Sequence, residues 1–259
     1  MSNDGIERDG IRKGDSVVIT GGGGGFGRAF ARRFARDGAR VTIWEKNVET
    51  GSETARIVKE EGGEIHFIAV DLADAKAIDS AVAETLARHG TPYCVINNAS
   101  IYPRYDVLDM SPEIWELTLK VNITAPFLIA RAFAPKMIAE RRGVVINIAS
   151  GRAIEGTPNG ANYAASKAAL ISLTKSLALE WAKHNVRVNA IIPGVSFTAQ
   201  PLENTTEEEL LERGRKMIPL GRVGYPDDVA GLAAYLVSAD AAYMTGQGVA
   251  INGGRQMIP

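Results

Sequence analysis

Cysteine occurs once in this sequence, at Cys94, so no internal disulfide can form. Histidine occurs three times, at His66, His89 and His184. Scattered singly beside one cysteine, they make no metal-ligand cluster, and no metal is expected. Charge of one sign is not in excess: 29 Lys and Arg stand against 30 Asp and Glu, a net of −1. Bulk electrostatics therefore draws in neither nucleic acid nor an acidic membrane surface. No uninterrupted run of about 18 apolar residues occurs, so no membrane-spanning helix is expected. The opening Met1-Ser2-Asn3-Asp4-Gly5-Ile6-Glu7-Arg8-Asp9 is polar and acidic where a secretion signal needs an apolar stretch, which makes the cytoplasm the expected location. Repeats, low-complexity tracts and linkers are missing too. One domain over residues 14–259 is expected, with 1–13 as a loose N-terminal extension.

What is present is a regular alternation. Short apolar runs predict strands at 16–20, 40–44, 65–70, 93–97, 144–149, 186–192 and 248–251. Between them, Phe26, Phe30 and Phe34 recur at helical spacing before Gly38, and further helices are expected at 48–61, 75–88, 112–141, 162–183, 206–215 and 226–237. Pro126 or Pro135 should kink the 112–141 segment. Cys94 sits inside the apolar run Tyr93-Cys94-Val95-Ile96 and reads as core. Strands that are apolar on both faces and separated by helices imply an α/β fold. The expected form is a single Rossmann-type doubly wound parallel sheet of about seven strands with helices on both faces.

Thr20-Gly21-Gly22-Gly23-Gly24-Gly25-Phe26-Gly27 joins the first strand to the first helix. A parallel sheet binds a pyrophosphate at this point. Glycine lets the backbone close on phosphate oxygens, and the helix N-terminus offers free N–H groups and a positive dipole end. Gly21, Gly25, Phe26 and Gly27 are the candidate contacts. Glu45 ends the second strand, where a carboxylate accepts hydrogen bonds from both adenosine ribose hydroxyls and repels a 2′-phosphate. Lys46, next in sequence, could counter that repulsion. NAD is the expected cofactor, with NADP second.

Tyr163 and Lys167 stand four apart and share one face of a predicted helix. A free phenol has a pKa of about 10, and a neighbouring ammonium lowers it. Ser150 ends the fifth strand, Asn97-Asn98-Ala99 ends the fourth, and Asn122 lies in the long helical segment that follows. In a parallel sheet these strand ends converge on one crevice. Together with Asp71, Val121-Asn122, Asn189, Pro193-Gly194, Thr198, Thr245-Gly246-Gln247 and Gly253-Gly254, this ordered set resembles the short-chain dehydrogenase/reductase (SDR) family over residues 14–254.

The resemblance implies roles. Tyr163 would exchange a proton with the substrate oxygen. Lys167 would bind the nicotinamide ribose and lower the Tyr163 pKa. Ser150 would orient the substrate carbonyl, and Asn122 would hold a water in a proton relay. Asp71 and Leu72 would meet the adenine, Asn98 would lie along the cofactor, and Pro193, Gly194, Val195 and Thr198 would sit near the nicotinamide amide. The resemblance also implies a homotetramer. Three positions depart from the family pattern: Ser100 replaces a usual glycine, Asn252 a usual aspartate, and Gly24 stands where NADP-preferring members are often basic.

Ser100, Ile101, Tyr102, Arg104, Arg152, Ile154, Phe197 and Leu202 are the expected substrate walls, and two arginines among them hint at a polar or anionic substrate. Residues 197–218 are expected to form a mobile substrate lid, its helix opened by a capping box that pairs Thr205 or Thr206 with Glu208 or Glu209. The expected activity is hydride transfer between NAD(H) and a small secondary alcohol or ketone. The alternatives are an NADPH-dependent 3-oxoacyl-type reductase and a Rossmann protein that binds without turnover.

Overall fold

The computed structural model describes residues 10–198 and 205–257. Among these, β1 (Ser16–Thr20), β2 (Arg40–Glu45), β3 (Glu64–Ala69), β4 (Cys94–Asn97), β5 (Gly143–Ile148), β6 (Val186–Pro193) and β7 (Gly248–Ile251) form one sheet. Its order is β3-β2-β1-β4-β5-β6-β7, and every neighbouring pair is parallel. Strands β1, β4, β5 and β6 are buried along their whole length, which is why they read as unbroken apolar runs.

Nine α-helices are described: α1 (Gly25–Arg36), α2 (Val48–Glu60), α3 (Ala75–His89), α4 (Pro112–Leu119), α5 (Ala125–Ala139), α6 (Arg152–Glu155), α7 (Ala161–Trp181), α8 (Glu207–Met217) and α9 (Pro226–Val237). Strand side chains alternate between two cores. On one face Val17, Ile19, Val41 and Ile43 pack under Phe30 and Phe34 of α1 and Val229 and Leu236 of α9. On the other, Val18, Val95, Val145 and Val188 pack under Ile129, Phe133 and Met137 of α5 and Leu177 and Trp181 of α7.

The segment expected as one helix over 112–141 is interrupted by a π turn at Lys120–Thr124, where the N–H of Ala125 donates to the Lys120 carbonyl five residues back. The cause is Pro126. It has no N–H to give the Asn122 carbonyl four residues earlier, so the ladder shifts by one place. Pro135 remains inside α5. Taken together, Pro112–Ala139 is long and apolar enough to cross a membrane, contrary to the count of uninterrupted apolar runs, but half of its most apolar window is packed inside the fold. Residues 10–13 are not loose. Ile11 packs against the core, and the Gly10 carbonyl accepts from Arg142 Nη2 at 2.8 Å. Residues 1–9 lie outside the described residues.

Candidate active site

The C-terminal strand ends open on one cleft of about 980 Å³. β1 hands the chain to β2 on one side while β4 lies on the other, so the loops after β1 and β4 splay apart there. Thr20 Oγ1 ties them together by accepting from the backbone N–H groups of Asn98 and Ala99, each at 3.0 Å. The Asn98 amide donates to the carbonyls of Thr20 (2.9 Å) and Gly21 (3.1 Å). Asn98 therefore lines the cleft while bracing the glycine loop. Gly21 and Gly25 have φ of +66° and +48°, the left-handed region where a Cβ is strained. Both line the cleft with Phe26. Gly27 lies beneath the loop rather than in the cleft. A Cβ there would collide with the Gly21 carbonyl oxygen, so glycine is what lets α1 approach.

At the glycine-loop end, Glu45 Oε2 accepts from the Gly23 N–H and Oε1 from the Asn47 N–H, each at 3.0 Å. These bonds fix the carboxylate at the cleft edge. Lys46 turns away from that role, its Nζ lying 2.7 Å from Asp71 Oδ2. The Lys46 hydrogen bond, aided by the Ala73 N–H, holds the Asp71 carboxyl below its usual range. Leu72 joins the same wall. A Cβ on Gly24 would meet nothing within 4 Å, so the loop offers open backbone toward solvent and ligand alike. Open glycine backbone at a helix start and a fixed carboxylate at the next strand end fit a nicotinamide dinucleotide.

The opposite end carries the candidate reactive groups. Tyr163 and Lys167 lie on the first turns of α7, are 6% and 1% exposed, and line the cleft with Ser150. Burial raises the Tyr163 pKa, and a hydrogen bond from Ser150 and the charge of Arg152 act against it. Lys167 Nζ donates to the Ile148 carbonyl at 2.7 Å and sits 5.6 Å from the centre of the Tyr163 ring. Burial pushes the lysine down to about 7. The groups that ease ionisation of Tyr163 are Ser150 and Arg152, while burial and the neighbouring Tyr102 oppose it. Cys94, by contrast, is fully buried in β4, and desolvation pushes its thiol well up, as suits a core residue.

Asn122 does not reach the cleft. Its amide is fully buried in the π turn, exchanging hydrogen bonds of 2.9 Å with both backbone groups of Ile101 and donating to Ser166 Oγ at 3.0 Å. It pins the substrate-side loop. Ser100, Ile101, Tyr102, Arg104 and Arg152 line the cleft, as do Pro193, Gly194, Val195 and Thr198. Ile154 instead faces solvent, because α6 is a single turn that presents Arg152 inward. Phe197 packs with Leu210, Ile218 and Val223 and against Tyr225, roofing the site without facing it. Leu202 lies outside the described residues.

Two features escaped the sequence reading. Tyr102 stacks on Tyr163, with ring centres 4.2 Å apart and planes 20° apart. The C-terminal tail folds back onto the site: Asn252 Nδ2 donates to the Gln256 carbonyl at 2.7 Å, and Gln256 and Arg255 line the cleft beside Gly151. The only signal for the tail was its place directly after Gly253-Gly254.

A family model described as enoyl-(acyl carrier protein) reductase matches residues 22–256. A 3-oxoacyl-(acyl-carrier-protein) reductase of Chlamydia trachomatis is 35% identical over 92% of this chain and 96% of its own. A 3beta-hydroxysteroid dehydrogenase of Eggerthella lenta is 36% identical over 95% of each chain. Among solved structures, an NAD(P)-dependent gluconate 5-dehydrogenase, so described, from Beutenbergia cavernae with NADP bound at low occupancy superposes with a TM-score of 0.88. It is 36% identical and covers 94% of this chain and 97% of that one.

Proposed function

The chain belongs to the short-chain dehydrogenase/reductase family, and from that premise we propose that Tyr163 is the proton-exchanging group of an NAD-linked secondary alcohol dehydrogenase or ketone reductase. The family assignment makes it an NAD(P)-dependent oxidoreductase acting on alcohol or ketone groups of small molecules. One observation carries the finer reading: Ser150, Tyr163 and Lys167 share a single cleft with the glycine loop and Glu45.

NAD(H), when bound, supplies or accepts the hydride. The protein does the rest. Gly21, Gly25 and the α1 N-terminus would hold the pyrophosphate, and Glu45 the ribose hydroxyls. Lys167, Pro193, Gly194, Val195 and Thr198 line the same cleft and would meet the nicotinamide end. In the reductive direction Ser150 Oγ donates to the carbonyl oxygen and holds it against Tyr163. As the carbonyl carbon receives the hydride, the Tyr163 O–H bond breaks and its proton moves to that oxygen. Burial favours the protonated phenol until then. In the oxidative direction the proton returns to the Tyr163 oxygen. Asn122 fixes the Ile101 loop beside the cleft.

The Lys46–Asp71 pair supports NAD over NADP, since it occupies the cation that would otherwise greet a 2′-phosphate. This also weighs against the NADPH-dependent 3-oxoacyl alternative. The lid reading over 197–218, of which residues 199–204 lie outside the described residues, rests on α8, which starts with the expected capping box: Glu209 N donates to Thr206 Oγ1 at 3.2 Å and Thr206 N to Glu209 Oε2 at 2.9 Å. A homotetramer is supported by exposed Trp115 and Leu117 on α4, Phe127 on α5 and Leu179 on α7. The test is NADH formation coupled to oxidation of secondary alcohols, run beside NADP. Absence of cofactor-coupled turnover across a broad alcohol and ketone panel would overturn the reading.

A further inference from the structure

Four guanidinium groups, Arg104, Arg152, Arg213 and Arg255, border the substrate end of the cleft. They arrive from four separate segments: the loop after β4, α6, α8 and the C-terminal tail. One carboxylate serves the group. Glu155 Oε2 lies 3.6 Å from Arg152 Nη1 and 4.0 Å from Arg255 Nη2. Among the described residues, neither Arg104 nor Arg213 has an acidic group within salt-bridge distance.

The cluster is joined to the reactive end. Arg104 Cζ lies 4.9 Å from the centre of the Tyr102 ring, which itself stacks on Tyr163. Arg152 is held by its own N–H, which donates to Ser150 Oγ at 3.2 Å. Its charge already acts on the Tyr163 phenol. Four cations against one anion is a local excess in a chain whose overall charge is −1. Like charges gathered in a concave wall repel one another, and the field they focus attracts an anion. Arg213 registers this directly: burial, then Arg255, Arg152 and Arg104, all lower its pKa.

We propose that this mouth is an anion subsite, and that the substrate is a small hydroxy or oxo compound bearing a carboxylate or phosphate group, gripped by Arg104 and Arg213 while its reacting carbon lies at Tyr163. The inference rests on the hydride-transfer reading for its chemistry. Planar guanidinium forks suit either anion, because both present paired oxygens. Arg104 and Arg213 stand exposed at the cleft mouth, with Arg152 and Arg255 half-buried behind them, so the positive wall continues inward where a small anion reaches it and the acidic surface of a carrier protein does not.

The test pairs charged and neutral substrates in one NAD-coupled assay: 3-hydroxybutyrate against its methyl ester, gluconate against sorbitol, and glycerol phosphate against glycerol. The charged member of at least one pair should be favoured in kcat/KM by roughly ten- to hundredfold, the worth of one charge-assisted hydrogen bond. The carboxylate and phosphate arms identify the anion. Arg213→Gln and Arg104→Gln should each collapse that ratio, chiefly through KM. Calorimetric binding of the charged members in the presence of NAD separates the two claims. Binding that is lost in Arg213→Gln, without turnover, upholds the anion subsite and sinks hydride transfer for those compounds. Equal or better turnover of the neutral members, or of a carrier-bound 3-oxoacyl thioester, overturns the subsite and leaves hydride transfer standing. No binding and no turnover of any charged member overturns the subsite.

Discussion

Lys167 is 1% exposed and its ammonium is held by the Ile148 carbonyl, so replacing it with methionine should separate stability from activity. Burial lowers the lysine from its ordinary 10.5 to about 7. Between those values the unfolded chain binds more protons than the folded one, so stability rises with pH across that window and is lowest below it. The two values correspond to a penalty of about 5 kcal/mol at pH 6, an upper figure, of which about 2 kcal/mol remains at pH 9. Lys167→Met removes the penalty. It also leaves the Ile148 carbonyl without its charged donor, at a cost of about 1.5–3 kcal/mol. The variant should therefore be more stable than the native protein by about 2–3 kcal/mol at pH 6, and the advantage should vanish near pH 9. Other titrating groups are common to both proteins and cancel. Urea unfolding of both at one protomer concentration, at the two pH values, reads the difference. A difference that is the same at pH 6 and pH 9 would refute the assignment of a lowered lysine. A difference that shrinks from pH 6 to pH 9 means that the native residue persists at a stability cost, which is the mark of a site selected for chemistry.

Further outcomes follow from the cleft. Glu45→Ala should cut the NAD-over-NADP ratio of kcat/KM by about tenfold, the worth of a charged hydrogen-bond set; a native protein that prefers NADP would contradict the reading of Glu45 and Lys46. Light scattering at micromolar concentration should report a tetramer, and a monomer would reject the assembly. Hydrogen exchange should show α8 better protected with NAD and a bound substrate analogue than without, and equal protection would make it plain scaffold.

Much of this was legible in the sequence because periodicity encodes burial. The unbroken apolar runs at β1, β5 and β6 are the signature of strands covered on both faces. The glycine loop, Glu45, Ser150, Tyr163 and Lys167 were legible because each sits at a strand end or on the helix face that the alternation predicts. What was not legible depends on long-range geometry. Asn122 carries a cleft-like chemistry in sequence, yet the π turn forced by Pro126 buries its side chain against Ile101. Arg213 and Arg255 sit 42 residues apart and far from Arg104, so only the folded tail and α8 bring them to one wall. Ile154 looked like a wall residue because it follows Ser150, but one turn of helix rotates it to solvent.

Tyr163→Phe tests the central claim most directly. Phenylalanine keeps the ring and its stacking on Tyr102 but has no proton to exchange. NAD binding, measured by calorimetry, should survive, while turnover of the best alcohol from the panel should fall by about 10²–10⁴-fold. Near-native turnover in that variant, with NAD still bound, would show that another group moves the proton.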